Sequence, residues 1–192
     1  NPVVAVVGAT GAVGVEIVQC LEKRRFPLSS LRLFASARSA GQRMTYAGQS
    51  LVVEELREEA LNGIDIALFS AGGSISRRFA PLLAQAGTIV VDNSSAFRME
   101  PDVPLVVPEI NADAIAGHRG IIANPNCAAI LTITPLWPVH KVNRIERLII
   151  STYQAASGAG AAAMEELRQS TRAYLAGEHY EPKVLPHPYA FN

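Results

Sequence analysis

Residues 3–14, Val3-Val4-Ala5-Val6-Val7-Gly8-Ala9-Thr10-Gly11-Ala12-Val13-Gly14, predict a buried strand, a glycine-rich turn and the start of a helix. Three glycines at this spacing allow a tight turn, a close approach of the backbone and close helix–strand packing. The amide groups and the positive dipole end of such a helix form a pyrophosphate site. The stretch therefore predicts dinucleotide binding, with a purely structural turn as the alternative. The predicted contacts are Gly8, Thr10, Gly11, Ala12, Val13 and Gly14.

The rest of the chain favours a parallel sheet. Short β-branched segments alternate with longer segments of helical period, as in βαβ units. The stretch 74–86, closed by Gly87, predicts a helix, and the stretches 43–46 and 49–54 flank an Ala-Gly turn that predicts an added antiparallel hairpin. The other predicted strands are Val3–Val7, Leu31–Ala35, Ile64–Phe69, Thr88–Val91, Leu105–Val107 and Gly120–Ala123.

The pattern changes after residue 126. A helix to Trp137, a strand Glu146–Tyr153 and an Ala-rich helix from about Ala159 to Ala176 follow, and these elements cannot bury their own apolar faces. We therefore predict an α/β chain with a Rossmann-type parallel sheet. Residues 1–126 would form one domain around this sheet, and residues 127–192 would form the incomplete beginning of a second, α+β domain.

The composition excludes several function classes. Of the 192 residues 49% are hydrophobic, and 17 basic side chains balance 17 acidic ones, which excludes a disordered tail and a polybasic nucleic-acid binder. No apolar run approaches the ~20 residues of a membrane span, and the N-terminus lacks the pattern of an export signal. Two cysteines suit a reducing cytosol, and the four histidines lack metal-ligand spacing. We expect a cytoplasmic protein without nucleic-acid, membrane or metal partners.

The end of the second predicted strand favours NADP over NAD. In NAD-binding folds an acidic residue about 20 residues past the glycines binds the ribose. Here Ser36-Ala37-Arg38-Ser39 follows the strand, and its guanidinium and hydroxyls suit a 2′-phosphate. We predict that Arg38 and Ser39 bind the cofactor, with a simply solvated Arg38 as the alternative. Ser70 follows the strand Ile64–Phe69, where this fold brings backbone towards the cofactor.

Cys127 is the candidate nucleophile. Proline keeps Asn124 extended, Asn126 is a good N-cap, and Cys127 falls in the first turn of an apolar helix. The helix dipole and the unpaired amides there stabilise a thiolate. A structural role is the alternative, because buried cysteines are common. Cys20, among apolar residues of the first helix, is predicted to be an inert core thiol.

Taken together, these segments resemble the aspartate-β-semialdehyde dehydrogenase family. The similarity begins with Gly8–Gly14 and continues in the family's order through four further motifs. These are Asp92-Asn93-Ser94-Ser95-Ala96-Phe97-Arg98, Val107-Pro108-Glu109-Ile110-Asn111, Asn124-Pro125-Asn126-Cys127 and Thr152-Tyr153-Gln154-Ala155-Ala156-Ser157-Gly158-Ala159-Gly160.

The resemblance implies an NADPH-dependent reductive dephosphorylation of L-aspartyl 4-phosphate to aspartate semialdehyde. This reaction lies on the route to diaminopimelate, lysine, threonine and methionine. Cys127 would form a thioacyl-enzyme, and Asn126 would help to stabilise the oxyanion. The resemblance also implies a homodimer, with residues 1–126 as the NADP-binding domain and residues 127–192 as the N-terminal part of the catalytic and dimerisation domain. The remaining positions it implies are Arg98 for the phosphate group, Gln154 for orienting the substrate, and Ser157 and Gly158 for the nicotinamide ribose.

The similarity covers only the first half or so of the family's usual length. We therefore expect the family's catalytic histidine to lie beyond residue 192, and turnover to need that half. Ala128 and Ala129 also stand where the family often has Ser or Thr, which puts hydroxyl assistance there in doubt.

Three other functions compete with this interpretation. An N-acetyl-γ-glutamyl-phosphate reductase typically has glycine where Asn126 stands. A short-chain reductase would carry a Tyr-x-x-x-Lys motif, which the sequence lacks. The third is a non-catalytic NADP-binding paralogue or dimerisation module.

Overall fold

The structure, a computed structural model, describes residues 1–191. It divides into two compact units, of which the first is Asn1–Ile150 and the second begins at Ser151. The strands of the first unit are β1 (Val3–Val7), β2 (Ser30–Ala35), β3 (Arg43–Tyr46), β4 (Gln49–Glu55), β5 (Ile66–Phe69), β6 (Ile89–Asp92) and β7 (Ile121–Ala123). They form one sheet in the order β3-β4-β2-β1-β5-β6-β7. Neighbouring strands are parallel except in the β3–β4 hairpin.

The helices follow the strands as the periodicity predicts. They are α1 (Ala12–Lys23), α2 (Gly73–Gln85), α3 (Pro108–Asn111), α4 (Cys127–Val142) and, in the second unit, α5 (Ala161–Leu175). Short 3₁₀ turns cover Glu58–Ala60, Ala112–Gly117 and Ala156–Ala159. The predicted α/β class with a Rossmann-type parallel sheet is confirmed. Within residues 1–191, no helix is both long enough and apolar enough to cross a membrane.

The sheet is buried on both faces, which explains why β1 is apolar at every position. Ala5 and Val7 face a core that also contains Phe34, Phe69 and the α2 residue Leu83. Val4 and Val6 belong to a second cluster on the other face, together with Val18 and Leu21 of α1 and with Leu33. The two clusters place α1 and α2 on opposite faces of the sheet.

The prediction for Cys20 is wrong, because its side chain is exposed. Helix α1 buries Gly14, Val18 and Leu21, which lie on one face. Cys20 is two positions beyond Val18, so it is rotated by about 200° around the helix and points away from the core.

The predicted strand Leu105–Val107 is also wrong, since only one parallel bridge forms, between Leu105 and Ala123. A longer ladder with β7 would use the N–H groups of residues 104, 108 and 125, which are all prolines and have none. The side chain of Asn111 bonds the opposite edge of the segment. Its oxygen accepts from the N–H of Val107 at 2.8 Å, and its amide donates to the carbonyl of Leu105 at 3.0 Å. Pro108, which has no N–H, then begins α3.

The helix after residue 126 and the predicted strand Glu146–Tyr153 also differ from expectation. Helix α4 continues past Trp137 to Val142, through Pro135 and Pro138. Residues 144–155 have no regular structure, and Ile149 is 91% exposed. A β-branched segment becomes a strand only where a neighbour completes its hydrogen bonds, and no described strand pairs with this one.

The second unit is organised around the carboxylate of Glu166 on α5, which is 5% exposed. Its two oxygens accept hydrogen bonds from the backbone N–H groups of Lys183, Val184 and Leu185, at 2.5, 2.7 and 2.9 Å. Desolvation acts to raise the pKa of Glu166. The three N–H donors, helped by the charge of Lys183, outweigh it and lower the pKa below its ordinary value.

We predict that Glu166→Gln speeds hydrogen exchange at Lys183, Val184 and Leu185 about tenfold near neutral pH, because an amide offers only one acceptor oxygen. Because the pKa of Glu166 is lower in the folded than in the unfolded protein, its ionised carboxylate stabilises the fold at any pH above the unfolded pKa. This stabilisation is lost as the pH falls through the folded pKa. The difference in exchange rate between the wild type and Glu166→Gln should therefore disappear at low pH. NMR exchange rates measure this.

Glu165→Gln is the matched control, since Glu165 is exposed and bonds only the side chains of Arg168 and Gln169. It should leave the three amides unchanged. Equal exchange in wild type and Glu166→Gln at neutral pH would contradict this account of the second unit.

Candidate active site

The glycine-rich turn packs against the ends of β2 and β5. A Cβ on Gly8, whose φ is 89°, would lie 2.4 Å from the carbonyl oxygen of Ser70. A Cβ on Gly14 would lie 2.1 Å from the carbonyl oxygen of Gly8. The N–H groups of Gly8 and Ala9 both donate to the carbonyl of Phe34, at 2.8 and 3.0 Å. Close backbone packing therefore requires glycine at positions 8 and 14.

The same turn leaves hydrogen-bond donors free at the start of α1. The N-cap, Gly11, offers no side-chain cap. None of the described hydrogen bonds uses the backbone N–H of Ala12, Val13 or Gly14. Free amides at the positive end of a helix dipole fit the pyrophosphate of a dinucleotide.

The loop after β2 lies beside this turn and presents a cationic side chain. It turns tightly, with the N–H groups of Ser39 and Ala40 donating to the carbonyl of Ser36 at 2.9 and 3.1 Å. Arg38 is exposed, and its guanidinium takes part in none of the described hydrogen bonds. A free guanidinium next to serine hydroxyls fits a 2′-phosphate.

Cys127 is the first residue of α4, as predicted. The side-chain oxygen of Asn126 accepts from the N–H groups of Ala128 and Ala129, at 2.9 and 3.4 Å, so the predicted N-cap is confirmed. The thiol is free and exposed. The thiol therefore lies at the N-terminal end of α4, where the helix dipole is positive and the N–H groups of Ala128 and Ala129 are taken up by Asn126.

Arg98 lies against the turn that precedes Cys127. Its Nε donates to the carbonyl of Asn124 at 2.9 Å, and its Nη2 donates to the carbonyl of Asn93 at 3.1 Å. Its Nη1 takes part in none of the described hydrogen bonds. The structure therefore brings Arg98 together with residues 124–127, which we call the cysteine turn. One guanidinium nitrogen of Arg98 stays available for an anion.

A buried carboxylate anchors the turn that carries Arg98. Asp92, at the end of β6, is fully buried. It accepts from the hydroxyls of Ser76 and Ser94, at 2.6 and 2.7 Å, and from the N–H of Ser94 at 3.2 Å. Because Ser76 belongs to α2, these bonds tie the turn to that helix. These three hydrogen bonds offset the cost of burying the polar side chain of Asp92.

Sequence analysis did not identify the side-chain contact between Asn93 and Asn124. Their side chains hydrogen-bond at 2.6 Å. One signal could have found it, since each residue follows the end of a predicted strand, and β6 and β7 turn out to be neighbours. Polar residues at the carboxyl ends of adjacent parallel strands meet at one sheet edge.

The other predicted site residues lie in the second unit. Gln154 is exposed, and Ser157 and Gly158 lie in the 3₁₀ turn that follows it. None of the described contacts joins a histidine to Cys127. Within residues 1–191, no group of three or more His, Cys, Asp or Glu side chains is placed to hold a metal ion.

A parallel sheet with a glycine turn at the point where strand order reverses defines the class of Rossmann-type nucleotide-binding proteins. The family model described as semialdehyde dehydrogenase, NAD binding domain, matches residues 3–118. The model of the semialdehyde dehydrogenase dimerisation domain matches residues 136–192. The chain belongs to the semialdehyde dehydrogenase family.

Curated and solved relatives agree with this assignment. An aspartate-semialdehyde dehydrogenase of Synechocystis is 51% identical over 98% of this chain and 56% of its own length. A crystal structure of aspartate semialdehyde dehydrogenase II from Vibrio cholerae, complexed with ASA, has a TM-score of 0.92 and 43% identity. It covers all of this chain and 58% of that one. The chain thus spans a little over half the length of these relatives.

A more distant structure contains a cofactor. The aspartate semialdehyde dehydrogenase from Candida albicans, solved with NADP, has a TM-score of 0.62 and 27% identity. The match covers 76% of this chain and 48% of that one.

We predict that Gly8→Ala destabilises the protein more than Gly48→Ala. Both positions have positive φ, 89° and 77°, but a Cβ at Gly48 meets no atom within 4 Å. Gly48→Ala should cost about 1–2 kcal/mol from backbone strain alone. Gly8→Ala should cost about 1–3 kcal/mol more, from the clash with Ser70. Urea unfolding measures both, and equal losses would show that Gly8 and Ser70 are not in contact.

Proposed function

We propose that this chain is part of an NADPH-dependent aspartate-semialdehyde dehydrogenase. The observation that carries the proposal is Cys127 at the start of a helix capped by Asn126, next to a turn that presents Arg98. This arrangement supplies a nucleophile and an anion-binding group together. The identity of 51% to a curated enzyme of that activity supports the choice of substrate.

The proposed cofactor is NADP. The free N–H groups of Ala12, Val13 and Gly14 would hold its pyrophosphate, together with Thr10 and Gly11. Arg38 and Ser39 would hold the 2′-phosphate. Ser70 would contact the cofactor from β5, and Ser157 and Gly158 would contact it near the nicotinamide. Bound NADPH supplies a hydride.

The Cys127 thiolate would attack the acyl carbon of L-aspartyl 4-phosphate. A carbon–sulfur bond forms, the carbon–oxygen bond to phosphate breaks, and phosphate leaves with the electron pair. The amide of Asn126 and the backbone N–H of Cys127 would stabilise the oxyanion of the tetrahedral intermediate. Covalent capture splits one difficult displacement into two easier steps.

After hydride has reached the thioacyl carbon, the hemithioacetal would collapse. An acid–base group would donate the hydroxyl proton as the hydride arrives, and would take it back as the carbon–sulfur bond breaks and Cys127 recovers its thiolate. This group would come from the remainder of the relatives' length. Arg98 would bind the substrate phosphate through Nη1, and Gln154 would orient the substrate.

The organisation that we propose for the whole protein is a cytoplasmic homodimer. A cofactor domain would end at residue 126, and a catalytic and dimerisation domain would begin with the nucleophile at residue 127. This boundary falls in the stretch that neither family model covers. The dimerisation-domain match supports the second domain's role.

The test is phosphate-dependent reduction of NADP by the full-length protein supplied with aspartate semialdehyde. Wild type should be active with NADP and weaker with NAD. Cys127→Ala should lose at least about 10³-fold in kcat, as expected for a covalent nucleophile. Activity that persists in Cys127→Ala would contradict the proposal.

Two further variants separate chemistry from cofactor binding. Cys20→Ser is the matched control, because Cys20 is also exposed but lies outside the site, and it should leave kcat unchanged. Arg38→Ala should raise the KM for NADP with little change in kcat and reduce the preference over NAD. An unchanged KM for NADP would contradict the role of Arg38.

A further inference from the structure

Asn124 attaches the cysteine turn to β6 and to the turn that follows β6 through three hydrogen bonds. Its backbone N–H donates to the carbonyl of Asp92 at 2.8 Å. Its side-chain amide donates to Oδ1 of Asn93 at 2.6 Å. Its carbonyl accepts from Nε of Arg98 at 2.9 Å. Every polar group of Asn124 except one side-chain acceptor is therefore used by the turn that follows β6.

The link from Asn124 to the thiol is short and stiff. Pro125 is buried, and its ring fixes the backbone dihedral φ. Asn126 is fixed in turn by its two cap hydrogen bonds to the first turn of α4. A displacement of Asn124 would therefore be passed on to Cys127 with little loss.

Asn93 is a fixed acceptor for this link. Its N–H donates to the carbonyl of Phe69 on β5 at 3.0 Å, and its carbonyl accepts from Arg98. The preceding residue, Asp92, is fully buried and bonded to Ser76 and Ser94. The oxygen that receives the Asn124 amide is thus held on both sides by the sheet and by α2.

We propose that Asn93 and Asn124 are positioning residues for the Cys127 thiol. Their side-chain hydrogen bond holds Asn124, which Arg98 also binds, and so fixes the turn that leads to the sulfur at the start of α4. Neither side chain would touch the reacting atoms. The inference rests on the proposed function only in taking Cys127 as the nucleophile.

The test is the alkylation rate of each cysteine by iodoacetamide in the full-length protein, read by mass spectrometry of the labelled peptides. Asn93→Ala and Asn124→Ala should each slow the alkylation of Cys127 about two- to fivefold, because a loosened turn no longer holds the sulfur at the positive end of the α4 dipole. Cys20 on α1 is an internal control in the same molecule, and its alkylation rate should not change. The double variant should be no slower than the slower single variant, because both remove one hydrogen bond.

Ser95→Ala is the matched control. Ser95 lies in the same turn and is exposed, but its hydroxyl takes part in none of the described hydrogen bonds. It should leave both rates unchanged. In turnover, Asn93→Ala and Asn124→Ala should lower kcat and leave the KM for NADP unchanged.

Three results would overturn the inference. They are an unchanged Cys127 rate in both single variants, rates that change at both cysteines, and single effects that add in the double variant. Changes at both cysteines would show a role in general stability only. Alkylation needs no turnover, so an absence of phosphate-dependent NADP reduction would count against the proposed function without affecting this result.

Discussion

Parallel pairing of the strands is the constraint on which the candidate site depends. Because β2, β1, β5, β6 and β7 run in one direction, their carboxyl ends lie along one edge of the sheet, and the connections that follow them are neighbours. The glycine turn follows β1 and the Arg38 loop follows β2. Ser70 follows β5, the Asn93 turn follows β6, and the cysteine turn follows β7. Residues more than a hundred positions apart in the sequence are thereby brought to the same edge of the sheet.

Two kinds of contact then fix the geometry along that edge. At the glycine turn, backbone packs directly against backbone. Position 8 must be glycine there, because a Cβ would lie 2.4 Å from the carbonyl oxygen of Ser70. On the cysteine side, side chains bond to backbone, and Arg98 joins the carbonyls of Asn93 and Asn124. A guanidinium that binds two carbonyls is already oriented before any anion binds, which reduces the entropy lost on binding.

The sequence predicted the elements whose signals are local. The strand β1, the hairpin, the helix after Gly72 and the cap at Asn126 each depend on neighbouring residues. The predictions that proved wrong concern segments whose structure depends on residues far away in the sequence. Leu105–Val107 has strand composition, but prolines at positions 104, 108 and 125 lack the N–H groups that a longer ladder with β7 would use. Residues 146–153 have the same composition and no described pairing strand. The prediction that Cys20 is buried was wrong because it relied on apolar neighbours in the sequence. The burial of a helical residue depends instead on its angle around the helix axis. The contact between Asn93 and Asn124 could not be predicted without knowing that β6 lies beside β7.

In the proposed reaction, Cys127 accepts the acyl group. The most direct measurement is peptide mass spectrometry of the full-length protein after incubation with L-aspartyl 4-phosphate in the absence of NADPH, when the thioacyl-enzyme cannot be reduced. The account predicts an aspartyl adduct on the peptide containing Cys127 and none on the peptide containing Cys20. An adduct on another residue, or none on Cys127 in a preparation that turns over with NADPH, would contradict it.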